Sequence, residues 1–97
     1  MSAYIVVEVE VSDADAYASY TAQVQECLVP FEGRFIVRGG VVTPLEGAPP
    51  AGRVVMLMFP SSVQAHGFWE SPGYRAIVPI RQGSSSARIF LIEGVPG

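Results

Sequence analysis

Seven consecutive residues, Arg53–Phe59, read Arg-Val-Val-Met-Leu-Met-Phe. Strand side chains alternate with period two, so Val54, Met56 and Met58 point one way and Val55, Leu57 and Phe59 the other. A strand that is apolar on both faces belongs in the middle of a sheet and needs cover on both sides. The chain has 97 residues, the size of one domain, expected to span 1–97. Its own helices can cover one side of such a sheet. The other side then asks for a partner.

The remaining elements are read from the same kind of pattern. Ala3–Val11 alternates Ile5, Val7, Val9 and Val11 against Tyr4, Val6, Glu8 and Glu10, and reads as a first strand. Ser12 is the expected N-cap of a helix over residues 13–29, with Asp13 and Asp15 at the positive end of its dipole. Tyr17, Tyr20, Val24, Leu28 and Phe31 recur at helical spacing, and Pro30 marks the end. Gly33–Gly40 reads as a strand with Phe35 and Val37 on one face and Arg34, Ile36 and Arg38 on the other. Gly39-Gly40 permits a bulge, so residues 41–45 are expected to continue that strand after a bend. Residues 46–52 are a loop by composition and the expected mobile segment.

After the third strand, Pro60 and Ser61-Ser62 start a second helix carrying Ala65, Phe68 and Trp69. Ser71-Pro72 reads as a fresh helix start, since proline at the first helical position lacks an amide that would be unpaired anyway. Tyr74, Ile77 and Val78 follow, and Pro79 is expected to break or kink this piece. Gly83 and Ser84–Ser86 are read as a turn, Ala87–Gly94 as the last strand and residues 95–97 as a tail. The order is β-α-β-β-α-β with the second helix split. That is an α+β, ferredoxin-like arrangement: one antiparallel sheet with helices on one face.

Composition supports association. Charged residues make up only 15% of the chain, against about 25% in typical domains, so apolar surface is left over. The bare sheet face would carry Tyr4, Val6, Glu8, Glu10, Arg34, Ile36, Arg38 and one side of the third strand. A homodimer through this face is the simplest closed solution. The net charge of −3 argues against nucleic acid as a partner. No apolar run reaches the ~18 residues of a membrane span. The opening Met-Ser-Ala-Tyr lacks the character of a signal segment, so a cytoplasmic location is the default.

The stretches Tyr-Ile-Val-Val-Glu-Val, Asp-Ala-Tyr-Ala-Ser-Tyr, Gly-Arg-Phe-Ile-Val-Arg-Gly-Gly, Phe-Trp-Glu-Ser-Pro-Gly-Tyr and Ala-Arg-Ile-Phe-Leu-Ile-Glu-Gly, with Glu-Gly, Gly-Arg-Val-Val and Phe-Pro-Ser between them, resemble one family over nearly the whole chain. It is domain-of-unknown-function family thirteen-thirty, within the dimeric α/β barrel superfamily. The resemblance implies a ferredoxin-like protomer pairing sheet to sheet as a homodimer, and it implies no particular reaction. Relatives across the superfamily include cofactor-free monooxygenases, muconolactone isomerases and haem proteins. This chain departs at Gly67, where a larger residue is common, and at Trp69, where tyrosine is common; both changes would reshape a pocket and leave the fold.

Candidate chemistry is sparse. His66 is the sole histidine, which excludes a histidine-rich metal site; it is either a structural side chain or a general base or haem ligand. Glu8, Glu10, Arg34 and Arg38 are either interface ion pairs or a pocket in which an arginine holds an anionic or enolate oxygen while a carboxylate moves a proton. Arg38, beside Gly39-Gly40, is the first choice for that arginine. Tyr17, Tyr20, Trp69 and Tyr74 are either core rings or the walls of a site for a flat ligand. The single Cys27 reads as a buried, inert thiol. No hydrolase triad or phosphate loop is present. The expectation is a homodimer with one pocket per protomer for an aromatic or enolisable molecule, with Arg38, His66 and Tyr17 as candidate catalytic groups, Arg34, Arg38, Tyr20, Trp69 and Tyr74 as candidate binding groups, and neither metal nor cofactor. Its alternative is a non-catalytic binding or assembly module.

Overall fold

The computed structural model describes residues 1–96. The expected tail is therefore described only to Pro96, and Gly97 lies outside the described residues. The elements run β1 (Ala3–Val11), α1 (Ala14–Leu28), β2 (Arg34–Arg38), β3 (Arg53–Phe59), α2 (Ser62–Glu70), α3 (Pro72–Ser84) and β4 (Ser85–Glu93). The sheet has the order β2-β3-β1-β4, antiparallel throughout, with the doubly apolar β3 at an interior position. All helices cover one face, giving a slab 36 × 33 × 16 Å across. The core lies between the layers: Ala3, Ile5 and Val9 of β1 and Val55, Leu57 and Phe59 of β3 meet Tyr17, Tyr20, Val24 and Leu28 of α1 and Phe68, Tyr74, Ile77 and Val78 of α2 and α3.

Several local details depart from expectation. The cap of α1 is Asp13, not Ser12: the Asp13 carboxylate accepts from the Ala16 amide at 3.2 Å. The Ser12 amide is instead taken up by the carbonyl of Ser84 at 2.8 Å. Residues 41–45 do not extend β2. The last ladder bond runs from the Gly39 amide to the Val54 carbonyl at 2.9 Å, and Gly39, at φ 75, then turns the chain out of the sheet. Pro79 does not end α3, which continues to Ser84. Both Pro79 and Arg75, whose carbonyl loses its partner, sit on the exposed side of the helix, where water can take the bond. The serines after Gly83 form no turn. Ser84 Oγ donates to the Ile80 carbonyl and Ser85 Oγ to the Arg81 carbonyl, both at 2.6 Å, so they cap the last turn of α3 as it runs into β4.

The most consequential departure is in β2. Phe35 pairs with Leu57, but Val37, not Ile36, pairs with Met56, and Arg38 pairs with Val55. One extra residue, Ile36, is bulged out, and the alternation reverses beyond it. Arg34 and Val37 therefore share the bare face with Met58 and Met56, whereas Phe35 and Arg38 share the helix-covered face with Leu57 and Val55. The expected grouping of Arg34, Ile36 and Arg38 on one face fails at this bulge.

Across the bare face the register lines up rows. Val37, Met56, Val6 and Phe90 form a wholly apolar row, and Arg34, Met58, Tyr4 and Ile92 form the next. Toward the other end, Glu8 opposes Arg88 and makes the one ion pair among the described residues, 2.8 Å long. The partner of Glu8 is thus Arg88 and neither Arg34 nor Arg38.

Candidate functional site

Between the helix layer and the sheet lies a cavity of about 50 Å³. Tyr17, Tyr20, Thr21 and Val24 of α1 form one wall, Phe68, Trp69 and Tyr74 another, and Ile5, Val7, Phe35, Val55, Leu57 and Ile89 of the sheet form the floor. Arg38 and Arg53 stand at its mouth. Tyr17 and Tyr20 reach it because they lie three apart on the buried stripe of α1. Trp69 and Tyr74 meet there, ring centroids 5.5 Å apart, because the chain changes direction at Ser71. Ser71 ends α2 with its amide on the Phe68 carbonyl at 3.1 Å and starts α3 by accepting from the Tyr74 amide at 3.3 Å.

A second chamber of about 220 Å³ opens between α2 and β4, lined by Ile5, Ala65, His66, Trp69, Ile89, Phe90 and Leu91. Ile5, Trp69 and Ile89 border both spaces, so Trp69 is a shared partition. His66 is exposed and belongs only to this second chamber. The structure therefore brings together Tyr17, Tyr20, Trp69, Tyr74 and Arg38, places His66 apart from them, and puts Arg34 on the opposite face of the sheet. Gly67 does not shape either space: the Phe31 ring fills the volume a side chain would take, 2.9 Å from where a Cβ would stand.

Two arginines unrecognised in the sequence complete the arrangement. The Arg53 guanidinium lies against Gly39, where a Cβ would come within 2.7 Å of its Nη2, and 6.0 Å from the Tyr17 ring centroid. The close approach that Gly39 permits is thus made by Arg53, next to Arg38, which itself stacks 4.3 Å over the Phe35 ring. Arg81 of α3 is only 7% exposed. Its guanidinium lies 5.9 Å from the Trp69 ring, and its Nε–H has no hydrogen-bond partner.

The hydroxyls of Tyr20 and Tyr74 are hydrogen-bonded at 2.8 Å, tying α1 to α3. Burial, reinforced by the neighbouring Tyr74, holds the Tyr20 phenol far above its ordinary range. Burial raises Tyr17 too, against the opposing pull of Arg53 and Arg81. Both are therefore neutral hydrogen-bond donors at physiological pH, and neither is a base. The sign for stability follows. Above about pH 10 the unfolded chain loses phenol protons that the folded chain keeps, so stability falls as pH rises, by up to ~1.4 kcal/mol per pH unit per tyrosine. Urea midpoints followed above that pH should drop, and Tyr20→Phe should flatten the slope; an unaltered slope would count against this assignment. The Cys27 thiol is also raised, by burial and by Glu26, and donates to the Gln23 carbonyl at 3.4 Å. Among the described residues no three of His, Cys, Asp and Glu gather closely enough to hold a metal ion, and no helix is long and apolar enough to cross a membrane.

A family model described as a domain of unknown function, DUF1330, matches residues 2–95. The chain belongs to the DUF1330 family. No curated protein matches it. Solved structures with the same architecture include a protein of unknown function from Rhodopseudomonas palustris, 18% identical, TM-score 0.79, the match covering 99% of this chain and 84% of that one. A dimeric ferredoxin-like protein of unknown function from Jannaschia sp. CCS1 is 14% identical, TM-score 0.74, covering 97% of this chain and 100% of that one. SnoaB, a cofactor-independent oxygenase from Streptomyces nogalater, is 13% identical, TM-score 0.69, covering 99% and 95%. At such identities the likeness establishes the ferredoxin-like fold of this DUF1330 protein.

Proposed function

We propose that this DUF1330 protein is a cytoplasmic homodimer that binds a small aromatic or enolisable molecule in the tyrosine-walled cavity of each protomer. The observation that carries this reading is the composition of that cavity. Flat rings form its walls, and every titratable group lining it is a tyrosine or an arginine, with burial raising the phenols of Tyr17 and Tyr20. Such a lining accepts a planar ligand and offers hydrogen bonds to its oxygen atoms.

The dimer rests on the bare face. An apolar row spans all four strands there, ending in Phe90, 43% exposed, and Ile92 on the neighbouring row is 52% exposed. The chain exposes 5951 Å², against about 5,400 Å² for a monomer of its mass. A standard interface would remove about 800 Å² per partner. The Jannaschia structure, described as dimeric, supports pairing of this fold.

Two chemical readings of the site differ in one respect. In the first, Arg38 orients the ligand and Tyr17 donates to an enolate oxygen, as in a cofactor-independent oxygenase or isomerase; the likeness to SnoaB supports it. In the second, the protein binds without reacting. The lining favours the second, because among the described residues no carboxylate or histidine borders the tyrosine cavity to remove a proton. Trp69 is the sole tryptophan and a cavity wall, so its emission reports occupancy. One-ring phenols and enolisable ketones should shift that emission; an unchanged spectrum would sink the pocket. Oxygen uptake by the same mixtures would separate oxygenase from binding module.

A further inference from the structure

We infer that the molecule held in the tyrosine-walled cavity is an anion, a one-ring carboxylate whose charge is met by Arg38, Arg53 and Arg81. The inference rests on the pocket reading above and adds the charge of the ligand. The protein as a whole is acidic, with a net charge of −3 and six basic residues. Two of those six, Arg38 and Arg53, line a cavity whose lining includes no carboxylate, and a third, Arg81, lies 5.9 Å from the Trp69 ring that forms part of its wall. The one ion pair among the described residues engages Arg88 on the far side of the sheet, so none of the three has a salt-bridge partner.

Arg81 carries the most weight. Lysine can shed its proton when buried, but a guanidinium keeps its charge. Arg81 is 7% exposed, its Nε–H is buried without a partner, and it joins no ion pair among the described residues. Aromatic groups lie near it: Trp69 at 5.9 Å, and Tyr17 and Tyr20, whose phenols feel its field. Rings offset part of this charge, but a carboxylate answers it with charge-assisted hydrogen bonds. At the mouth, Arg38 and Arg53 are exposed and flank the entrance, where they would attract an anion before it enters.

Size limits the rest of the ligand. Neither the 50 Å³ cavity nor the 220 Å³ chamber beyond Trp69 reaches the ~300 Å³ at which drug-sized sites begin. The 50 Å³ cavity is below the ~150 Å³ that takes a benzene-sized ligand, so a one-ring carboxylate would occupy it together with the 220 Å³ chamber across Trp69, which must shift to join them.

The test uses the full chain, calorimetry and the Trp69 emission, with benzoate and its neutral isostere benzamide as probes at neutral pH. Benzoate is expected to bind about ten-fold or more tightly than benzamide, the effect of one charge-assisted contact. Arg53→Gln and Arg38→Gln, both at exposed positions, are expected to weaken benzoate several-fold each and to weaken benzamide by less, so that the benzoate-to-benzamide ratio falls. Added salt should weaken benzoate alone. If both probes move the Trp69 signal and benzamide binds as well as benzoate, the charge inference falls and the pocket stands. If neither moves the signal up to about 10 mM, the pocket reading falls and takes this inference with it.

Discussion

If the proposed sheet-face dimer forms, a Met56→Glu chain is expected to sediment as a monomer at concentrations where the natural sequence sediments as a dimer. Met56 sits at the centre of the apolar row, between Val37 on one side and Val6 on the other, with Phe90 beyond. A twofold axis through this face would place two such glutamates in one buried interface. Each would lose its water without gaining a cation, at a cost of several kcal/mol per ion. The fold should survive, because Met56 points away from the core that Val55 and Leu57 build. Light scattering at micromolar concentration together with far-ultraviolet circular dichroism checks both halves. A dimer mass for the variant would show that the subunits meet elsewhere, and a monomer mass for the natural chain would remove the dimer altogether.

Arg81→Met is expected to make the unliganded protein more stable, by about 1–4 kcal/mol, while abolishing benzoate binding. Methionine keeps the unbranched stem that packs beside Trp69 and discards a buried charge whose Nε–H is unpartnered. Residues that weaken the empty protein are the ones a binding site retains for its ligand. Urea denaturation of both chains at equal concentration, which matters for a dimer, reads the effect. A destabilised variant would mean that Arg81 is a structural element, satisfied by contacts other than a ligand.

The architecture was legible because period-two and period-3.6 patterns were clean. The doubly apolar Arg53–Phe59 is an interior strand, and the element order follows from turn residues between apolar runs. The site was legible only in part. The aromatic members stood out by type and spacing, but Arg81 did not, because Pro79 was expected to interrupt the helix. Had α3 been carried through, Tyr74, Ile77, Val78 and Arg81 would have fallen on one buried stripe. Arg53 was also within reach, since it shares parity with Val55, Leu57 and Phe59. The bulge at Ile36 was not, because no residue in Phe-Ile-Val-Arg declares it. It arises from how β2 meets β3, a tertiary choice that alternation alone does not encode.

That inserted residue has a consequence for how such a chain can vary. The side of the sheet on which Arg38 emerges depends on a count of positions along β2 and not on the identity of any of them. Exchanging one amino acid for another leaves the parity untouched. Removing the codon for Ile36 would leave Arg38 opposite Val55 in a regular ladder, whereas losing the bulge at full length would carry Arg38 to the bare face, so the extra length of this short segment is compatible with the interior placement of its cation only while the bulge persists.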